Sequence, residues 1–168
     1  GEVEKEKLIV PERTCPGDDI ILTKGIAIEG TALIAREKES VLEKLGEGFV
    51  KKCRSLLQEP GISVVRDAQI ANHAAIIHAL HDPTEGGLAT GLHELAAAAR
   101  LGMMVEMERI SILPETALLC QELRLDPLGL IASGALLIAA PERETPKIIA
   151  ALHAAGIPAS RIGKFQEK

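Results

Sequence analysis

Residues 75–101, AIIHALHDPTEGGLATGLHELAAAARL, decide the fold of this chain. The apolar stretch 75–80 predicts a short strand, because its length and composition are typical of a strand buried in a sheet. Residues 88–101 predict a helix, since apolar side chains recur at helical spacing and Gly102 provides a stop signal. Between the two lies the segment 81–87, which we call the glycine loop. The chain is therefore expected to contain a strand–loop–helix unit.

The glycine loop has the chemistry of an anion-binding site. The N-terminus of an α-helix presents unpaired backbone N–H groups and the positive end of the helix dipole. Gly86 and Gly87 let the backbone approach a ligand closely, and Thr84 adds a hydroxyl donor. A helix-capping turn fits the same residues, with Asp82 or Thr84 as the capping side chain. Both interpretations stay open, and His81 lies beside the loop at the strand end, where α/β sheets bind ligands.

Strands and helices alternate along the rest of the chain, which predicts an α/β or α+β fold with a mixed sheet covered by helices. The run 19–24 has almost no polar interruption, as expected of a strand buried on both faces. Residues 1–14 predict an incoming linker or an edge strand, so the domain is expected to span 15–168. The further predicted strands are 103–110, 135–140 and 161–165, and the further predicted helices are 31–45, 47–58, 63–73, 114–123 and 141–155.

Gly25 and Gly30 bound a second strand-to-helix turn with the glycine spacing of a P-loop. The lysine that a P-loop requires after its second glycine is absent, and Thr31 takes its place. This excludes a P-loop site for a nucleoside triphosphate. The segment remains a turn that could line a pocket.

The composition excludes several classes of protein. The 168 residues carry a net charge of −5 and include two Phe but no Trp or Tyr. An acidic chain with so few aromatic residues does not suit nucleic-acid binding. Three cysteines without a CxxC pair indicate reduced thiols, and neither disulfides nor a zinc site. His78 and His81 are expected on opposite faces of one strand, so they cannot chelate one metal ion.

The N-terminus carries no apolar segment of the kind found in signal peptides, and no apolar run is long enough to span a bilayer. We therefore expect a cytoplasmic protein without membrane contact. The chain begins with Gly1 and has no initiator methionine. It is expected to be a piece of a longer protein.

A resemblance to a known family becomes visible at the glycine loop. The stretch HDPTEGGLA at 81–89 closely resembles HDPTRGGLA, a signature of HypE-type hydrogenase maturation factors. LDPL at 125–128 and PGDDIIL at 16–22 extend the match across nearly all of the chain. The chain is thus similar to the C-terminal domain of the aminoimidazole ribonucleotide (AIR) synthetase superfamily. Formylglycinamide ribonucleotide amidotransferase, selenophosphate synthetase and thiamine-monophosphate kinase belong to the same superfamily.

The resemblance implies one half of a two-domain enzyme. Superfamily members use ATP and Mg²⁺ to activate an oxygen or to transfer phosphate, and both are bound mainly by an N-terminal domain that also mediates dimerisation. This chain would then be the substrate- and phosphate-cleft domain, with its own N-terminal ATP-binding domain as partner, a homodimer in the full-length protein, and a small-molecule or carrier-protein substrate. The ligand-binding candidates are His81, Asp82, Thr84, Gly86, Gly87, Glu29, Gly30, Ser133 and Gly134.

Departures from the family pattern favour an alternative function. Glu85 stands where HypE-type proteins carry arginine, which removes a cation from the mouth of the loop, and the segment 132–135, ASGA, is not the HypE version. The tail with a terminal cysteine that receives the carbamoyl group in HypE-type proteins is not among these 168 residues, so the sequence indicates a HypE-like protein and not a proven maturation factor. The alternative is a non-catalytic regulatory or partner-binding module. No catalytic residue and no metal ligand is assigned, and the chain alone is expected to be inactive.

Overall fold

The computed structural model of the chain describes residues 3–4, 8–38 and 43–168. Its centre is strand β1, Asp18–Thr23, in which all six residues are buried. β-Branched and aliphatic side chains favour such a covered, extended segment. Together with β1, the strands β2 (Ala79–His81), β3 (Gly102–Val105), β4 (Leu137–Pro141) and β5 (Ala159–Gln166) form one sheet in the order β2-β4-β1-β5-β3.

Helices cover this sheet. The α-helices of the described residues are α1 (Ile28–Glu37), α2 (Glu47–Ser55), α3 (Val65–Ala74), α4 (Gly87–Ala99), α5 (Pro114–Leu123) and α6 (Thr145–Ala154). Short 3₁₀ helices lie at Pro11–Arg13, Glu43–Leu45, Met107–Arg109 and Pro127–Gly129. Within the described part of the chain, none of the helices has the length and apolarity needed to cross a bilayer.

The alternation of side chains along β1 divides the sheet core into two layers. On one face, Ile20 and Leu22 pack with the leucines of α4. On the other face, Ile21 packs with apolar side chains of α3 and α6. Full burial of each such side chain contributes about 1.5–3 kcal/mol to stability. Because both faces are covered, the central residues Ile20–Leu22 of β1 are apolar. The buried polar residues Asp18, Asp19 and Thr23 at its ends have hydrogen-bond partners.

A separate apolar cluster holds α1, α2 and α5 together, and it contains Cys53 and Cys120. Burial raises the pKa of the Cys53 thiol to about 11, and the Glu115 carboxylate adds to this rise. Burial also raises the pKa of Cys120. Both thiols therefore stay protonated and serve as small apolar side chains. All three cysteines are free, which agrees with the expected absence of disulfides, and Cys15 is exposed.

The strand directions correct one expectation. All four strand pairs are antiparallel, and the parallel contact in the described residues is an isolated bridge between Ile26 and Ile112. The expected mixed sheet is therefore wrong, whereas a helix-covered sheet of the α+β class is confirmed. The complete burial of β1 is typical of parallel strands, but an antiparallel strand with helices on both faces is buried in the same way.

Several predicted boundaries also differ from the structure. The strand predicted at 103–110 ends at Val105, because a 3₁₀ helix follows at Met107–Arg109. The helix predicted at 31–45 corresponds to α1, which ends at Glu37, and residues 39–42 of that prediction lie outside the described residues.

The N-terminal segment contains no strand in residues 8–14, where a 3₁₀ helix occupies Pro11–Arg13. Residues 1–2 and 5–7 lie outside the described part of the chain. The edge-strand alternative therefore has no support in the described residues of this segment, and its role as a linker stays a prediction.

Candidate functional site

The connections from β1 to α1 and from β2 to α4 meet at one end of the sheet. β1 and β2 both run antiparallel to β4 and are therefore parallel to each other, and Leu22 and His81 both lie opposite Leu137. The chain that leaves β1 thus reaches α1 beside the chain that leaves β2 through the glycine loop. This topology brings Glu29, in the first turn of α1, to the glycine loop.

A pocket of ≈ 450 Å³, which we call the loop pocket, lies where these connections meet. It is lined by Glu29, Thr84, Glu85, Glu94, Ile131 and Ser133. Larger hollows exist elsewhere, such as one of ≈ 610 Å³ beside Arg36 and Arg54, but that one is formed by neighbouring helices without a glycine-rich loop. We select the loop pocket for its chemistry and not for its size.

Helix α4 begins at the glycines without a capping side chain. Gly86 is the N-cap residue, with φ of +73°, and no side chain forms a cap hydrogen bond there. The interpretation in which Asp82 or Thr84 caps the helix is therefore wrong. A backbone turn closes the loop instead, because the Gly87 N–H donates to the Thr84 carbonyl oxygen at 3.1 Å. The following N–H groups of the first turn lack intrahelical partners, as at the start of any α-helix.

Gly87 is required by packing as well as by conformation. Its φ is +66°, and an added Cβ would overlap the Leu128 carbonyl oxygen and lie 2.5 Å from that of Leu130. The LDPL segment provides this surface, and within it Asp126 Oδ1 accepts a hydrogen bond from the Leu128 N–H at 2.9 Å. The two motifs that carry the resemblance are thus packed on each other. Gly87→Asp would change packing and charge together, so it is a poor test of ligand binding.

The segment before β4 connects the glycine loop to α1. The Ala132 N–H donates to the Thr84 carbonyl oxygen at 3.2 Å, and the Gly30 N–H donates to the Ile131 carbonyl oxygen at 3.1 Å. An added Cβ at Gly30 would itself lie 3.1 Å from that Ile131 oxygen. Gly30 is therefore a packing residue. Ser133, the residue after Ala132, lines the loop pocket.

The loop pocket is acidic. Glu29, Glu85 and Glu94 line it, and Glu94 Oε2 lies 3.0 Å from His81 Nε2. A bare phosphate group would be repelled by these carboxylates, whereas a cation or a metal–phosphate complex would be attracted. The charges of the loop pocket therefore favour an anion accompanied by a cation over a bare anion.

A further carboxyl group, that of Asp82, lies near the loop pocket, and its surroundings disfavour the charged form. Partial desolvation raises the pKa of the Asp82 carboxyl group, although the residue as a whole is exposed. The neighbouring His81 and Lys24 oppose this rise, and the Glu29 carboxylate adds to it. Lys24 is itself buried, and its Nζ lies 3.2 Å from the Asp67 carboxylate. Nothing in the sequence pattern singles out Lys24 or Asp67.

The structure sorts the predicted site residues into two groups. Glu29, Thr84 and Ser133 line one pocket, and His81 and Asp82 flank it. The four glycines shape the backbone: Gly134, for example, has φ of +106°, and an added Cβ would lie 3.0 Å from the Gly61 carbonyl oxygen. The predicted residues that act through the backbone are Gly30, Gly86, Gly87 and Gly134.

Sequence reasoning missed the lining residues Glu94 and Ile131, and it placed Glu85 at the mouth of the loop without counting it as a ligand-binding candidate. A signal for Glu94 existed, because it follows Gly87 by seven residues and Gly91 by three. Residues at these spacings share one face of a helix. The helical face that starts at the glycine loop therefore leads to Glu94.

Comparisons with known proteins agree with this arrangement. Residues 15–168 match the family described as AIR synthase related protein, C-terminal domain. Carbamoyl dehydratase HypE of Rhizobium leguminosarum bv. viciae is 31% identical over 150 residues, which are 88% of this chain and 40% of that protein. A solved hydrogenase maturation protein HypE in complex with ATP is 25% identical, with a TM-score of 0.71 over 99% of this chain and 48% of the solved one. Thiamine-monophosphate kinase from Stenotrophomonas maltophilia K279a, at 18% identity, has a TM-score of 0.74 over 99% of this chain and 52% of its own.

These matches differ in what they support. The kinase, at its low identity, supports the fold alone, whereas the family match extends over most of the chain. The chain spans about two fifths of the length of the curated relative. The resemblance seen at the glycine loop, the LDPL segment and β1 is confirmed. This chain belongs to the AIR synthase related protein family, and its residues 15–168 correspond to the C-terminal domain of that family.

Proposed function

We propose that the chain is the substrate- and phosphate-facing half of an ATP-dependent enzyme of the AIR synthetase type, related to the HypE-type maturation factors. The observation that carries this proposal is the uncapped N-terminus of α4 beside a pocket with free hydroxyl groups. Neither Thr84 nor Ser133 has a side-chain hydrogen-bond partner among the described residues. Hydroxyl groups and helix N–H groups are donors suited to phosphate oxygens.

The donor set of the loop pocket fits Mg²⁺. Carboxylate oxygens of Glu29, Glu85 and Glu94 and the two hydroxyl groups are hard ligands of the kind that Mg²⁺ takes. Mg²⁺ bound by these side chains would neutralise phosphate charge that the acidic pocket otherwise repels. In this function Thr84 and Ser133 orient the phosphate-bearing group, and Glu94 fixes the His81 imidazole through their hydrogen bond.

The remaining parts of the active site belong to a second domain. The two phenylalanines, Phe49 and Phe165, pack in or against apolar clusters, so no aromatic side chain lines the loop pocket to stack on a nucleotide base. We assign base recognition and most ATP contacts to the chain's own N-terminal ATP-binding domain, and the active form to a homodimer. The substrate is a small molecule or a carrier protein.

Removing the two hydroxyl groups tests the proposal. In the full-length protein that contains this chain, Thr84→Val and Ser133→Ala are each expected to lower kcat/KM for Mg²⁺-dependent ATP turnover about 10–100-fold, as for lost hydrogen bonds to a charged group. Ser55→Ala is the control, because Ser55 is exposed and its hydroxyl only contacts the Lys52 carbonyl oxygen.

The outcome also separates the two functions derived from the sequence. Turnover that both hydroxyl substitutions leave intact would remove the loop pocket from the reaction. A full-length protein with neither turnover nor saturable calorimetric binding of ATP with Mg²⁺ would support the non-catalytic module instead.

A further inference from the structure

A second group of chemically reactive side chains lies away from the loop pocket. Cys15, Asp18 and His78 each place one potential ligand atom, a sulfur, a carboxylate oxygen and an imidazole nitrogen, within 4.8 Å of one another. The Asp18 side chain is only 5% exposed and that of His78 22%, while Cys15 is exposed. One side of the cluster is therefore fixed in the protein and the other is open to solvent.

The local sequence explains why the thiol returns to Asp18. The PGD turn reverses the chain just before β1: Gly17 has φ of +92°, and the Asp18 N–H donates to the Cys15 carbonyl oxygen at 3.1 Å. The Asp18 Oδ2 atom in turn accepts a hydrogen bond from the Cys15 N–H at 2.8 Å. Turn and carboxylate together hold Cys15 over the start of β1.

His78 reaches the same carboxylate from the other side of β4. The backbone N–H of His78 donates to the Ala139 carbonyl oxygen at 2.8 Å, which fixes the backbone just before β2. Its Nδ1 lies 2.7 Å from Asp18 Oδ2. The three side chains are thus positioned by the first residue of β1, the tight turn that precedes it and the residue just before β2.

We propose that Cys15, Asp18 and His78 form a binding site for Zn²⁺, which reverses the expectation from the cysteine spacing because these ligands meet only in the folded chain. Zinc accepts thiolate, imidazole and carboxylate ligands together, whereas Mg²⁺ and Ca²⁺ prefer oxygen alone. Ligand atoms of a tetrahedral zinc ion lie about 3.3–3.8 Å apart. All three atoms lie within 4.8 Å of one another, and the 2.7 Å between Nδ1 and Oδ2 must widen to this spacing when the ion replaces their hydrogen bond. Three protein ligands leave the fourth position to water, on the side where Cys15 is exposed. Binding releases the thiol proton to the buffer. The imidazole proton, which the hydrogen bond to Asp18 places on Nδ1, moves to Nε2 so that Nδ1 can bind the metal.

The zinc site is independent of the loop pocket. The cluster lies at the start of β1, opposite Pro141, whereas the glycine loop leaves β2 opposite Leu137. The two sites are therefore at opposite ends of β4. A metal effect at the cluster can be measured without ATP, so its test does not depend on the proposed function.

Metal titration of the reduced 168-residue chain tests the site. Calorimetry with Zn²⁺ is expected to give one ion per chain, and Co²⁺ is expected to give a thiolate-to-metal charge-transfer band. Cys15→Ser and His78→Gln are expected to weaken Zn²⁺ binding at least about tenfold, and Cys15→Ser to abolish the band. His93→Gln, which removes an exposed histidine on α4, is expected to change neither result.

Folding controls keep the result interpretable. Zn²⁺ is expected to raise the thermal midpoint of the wild-type chain and of His93→Gln, but not that of Cys15→Ser. The proposal is overturned if the wild-type chain binds no zinc, or if Cys15→Ser binds it as tightly as the wild type.

Discussion

At the scale of single residues, Asp82 carries a charge that its surroundings disfavour. Partial desolvation raises the pKa of its carboxyl group although the residue is exposed, and the Glu29 carboxylate adds to that rise. A cation bound beside these carboxylates would favour the charged form of Asp82. The charge of Asp82 therefore affects both the stability of the fold and the electrostatics beside the loop pocket.

The Asp82 pKa gives a prediction with a definite sign. Because the folded-state pKa lies above the unfolded value, the charged carboxyl group destabilises the fold at neutral pH, and this penalty disappears as pH falls through the folded pKa. We expect Asp82→Asn to raise the thermal midpoint at pH 7. The gain should vanish below about pH 3.9, where the unfolded side chain is also protonated.

The exposed Glu108 provides the control for this experiment, since Glu108→Gln also removes one negative charge. Thermal unfolding is followed by circular dichroism at both pH values. A midpoint of Asp82→Asn at or below that of the wild type at pH 7 would contradict the assignment of a disfavoured charge.

Backbone conformation at single residues was the least accessible to sequence reasoning. Gly102 is the expected stop of α4, yet Arg100 takes the left-handed conformation, with φ of +58°, and its N–H donates to the Ala96 and Ala97 carbonyl oxygens. Lys24 and Ala27 also have positive φ. Tertiary packing imposes these conformations on residues that rarely adopt them, so no local pattern marks them.

At the scale of elements, α4 contains a glycine in its interior because it packs against the glycine loop. An added Cβ at Gly91 would lie 2.6 Å from Pro83 Cβ and 3.2 Å from His81 Cδ2. Glycine weakens a helix by about 1 kcal/mol relative to alanine. The helix accepts this loss because Gly91 lets α4 lie directly on the residues that flank the loop pocket.

Two glycine-to-alanine substitutions separate propensity from packing. We expect Gly91→Ala to destabilise the fold by about 1–3 kcal/mol through overpacking, despite its higher helix propensity. Gly48→Ala in α2, where an added Cβ meets nothing within 4 Å, should stabilise the fold by about 0.5 kcal/mol. Urea denaturation measures both changes, and a stabilising Gly91→Ala would disprove the close contact.

Most elements were predictable because their signals are local. Proline at the first turn and a polar–apolar period predict α5 at Pro114–Leu123 as observed. The apolar run of β1 predicts its position, and the alanine-rich period predicts α4. Strand direction was not predictable in this way, because it depends on which distant strand lies alongside.

The candidate site was predictable only where chemistry and local geometry coincide. Thr84 and the glycines follow from the strand–loop–helix pattern. Glu29 was a candidate because it lies in the second strand-to-helix turn, which Gly25 and Gly30 bound. The sheet topology places it in the same pocket. Glu94 carries only a spacing signal from the glycines of α4, because its partner His81 lies on a different element.

At the scale of the whole molecule, an ion-pair network around the buried Asp19 connects distant segments. Asp19, 2% exposed, accepts hydrogen bonds from Arg161 Nε and Thr145 Oγ1, each at 2.8 Å. Arg161 also pairs with Glu106. The network joins β1, β5, α6 and the segment after β3.

Breaking this network should cost far more than breaking a surface pair. Arg161→Met leaves the Asp19 carboxylate buried with fewer partners, and we expect a loss of about 2–4 kcal/mol in the free energy of unfolding. Arg143→Met removes an exposed arginine that pairs with Glu144, and its effect should stay within about 0.5 kcal/mol. Chemical denaturation compares the two, and equal losses would contradict the role of the network.

The position of Cys15 has a practical consequence for handling the molecule. Of the three thiols, Cys53 and Cys120 are buried, so a maleimide or gold surface would capture the chain through Cys15. That attachment lies at the Pro141 end of β4, about 13 Å along the strand from the Leu137 end that faces the glycine loop. An immobilised layer would therefore present its molecules in one orientation, with the loop pocket turned toward the solution.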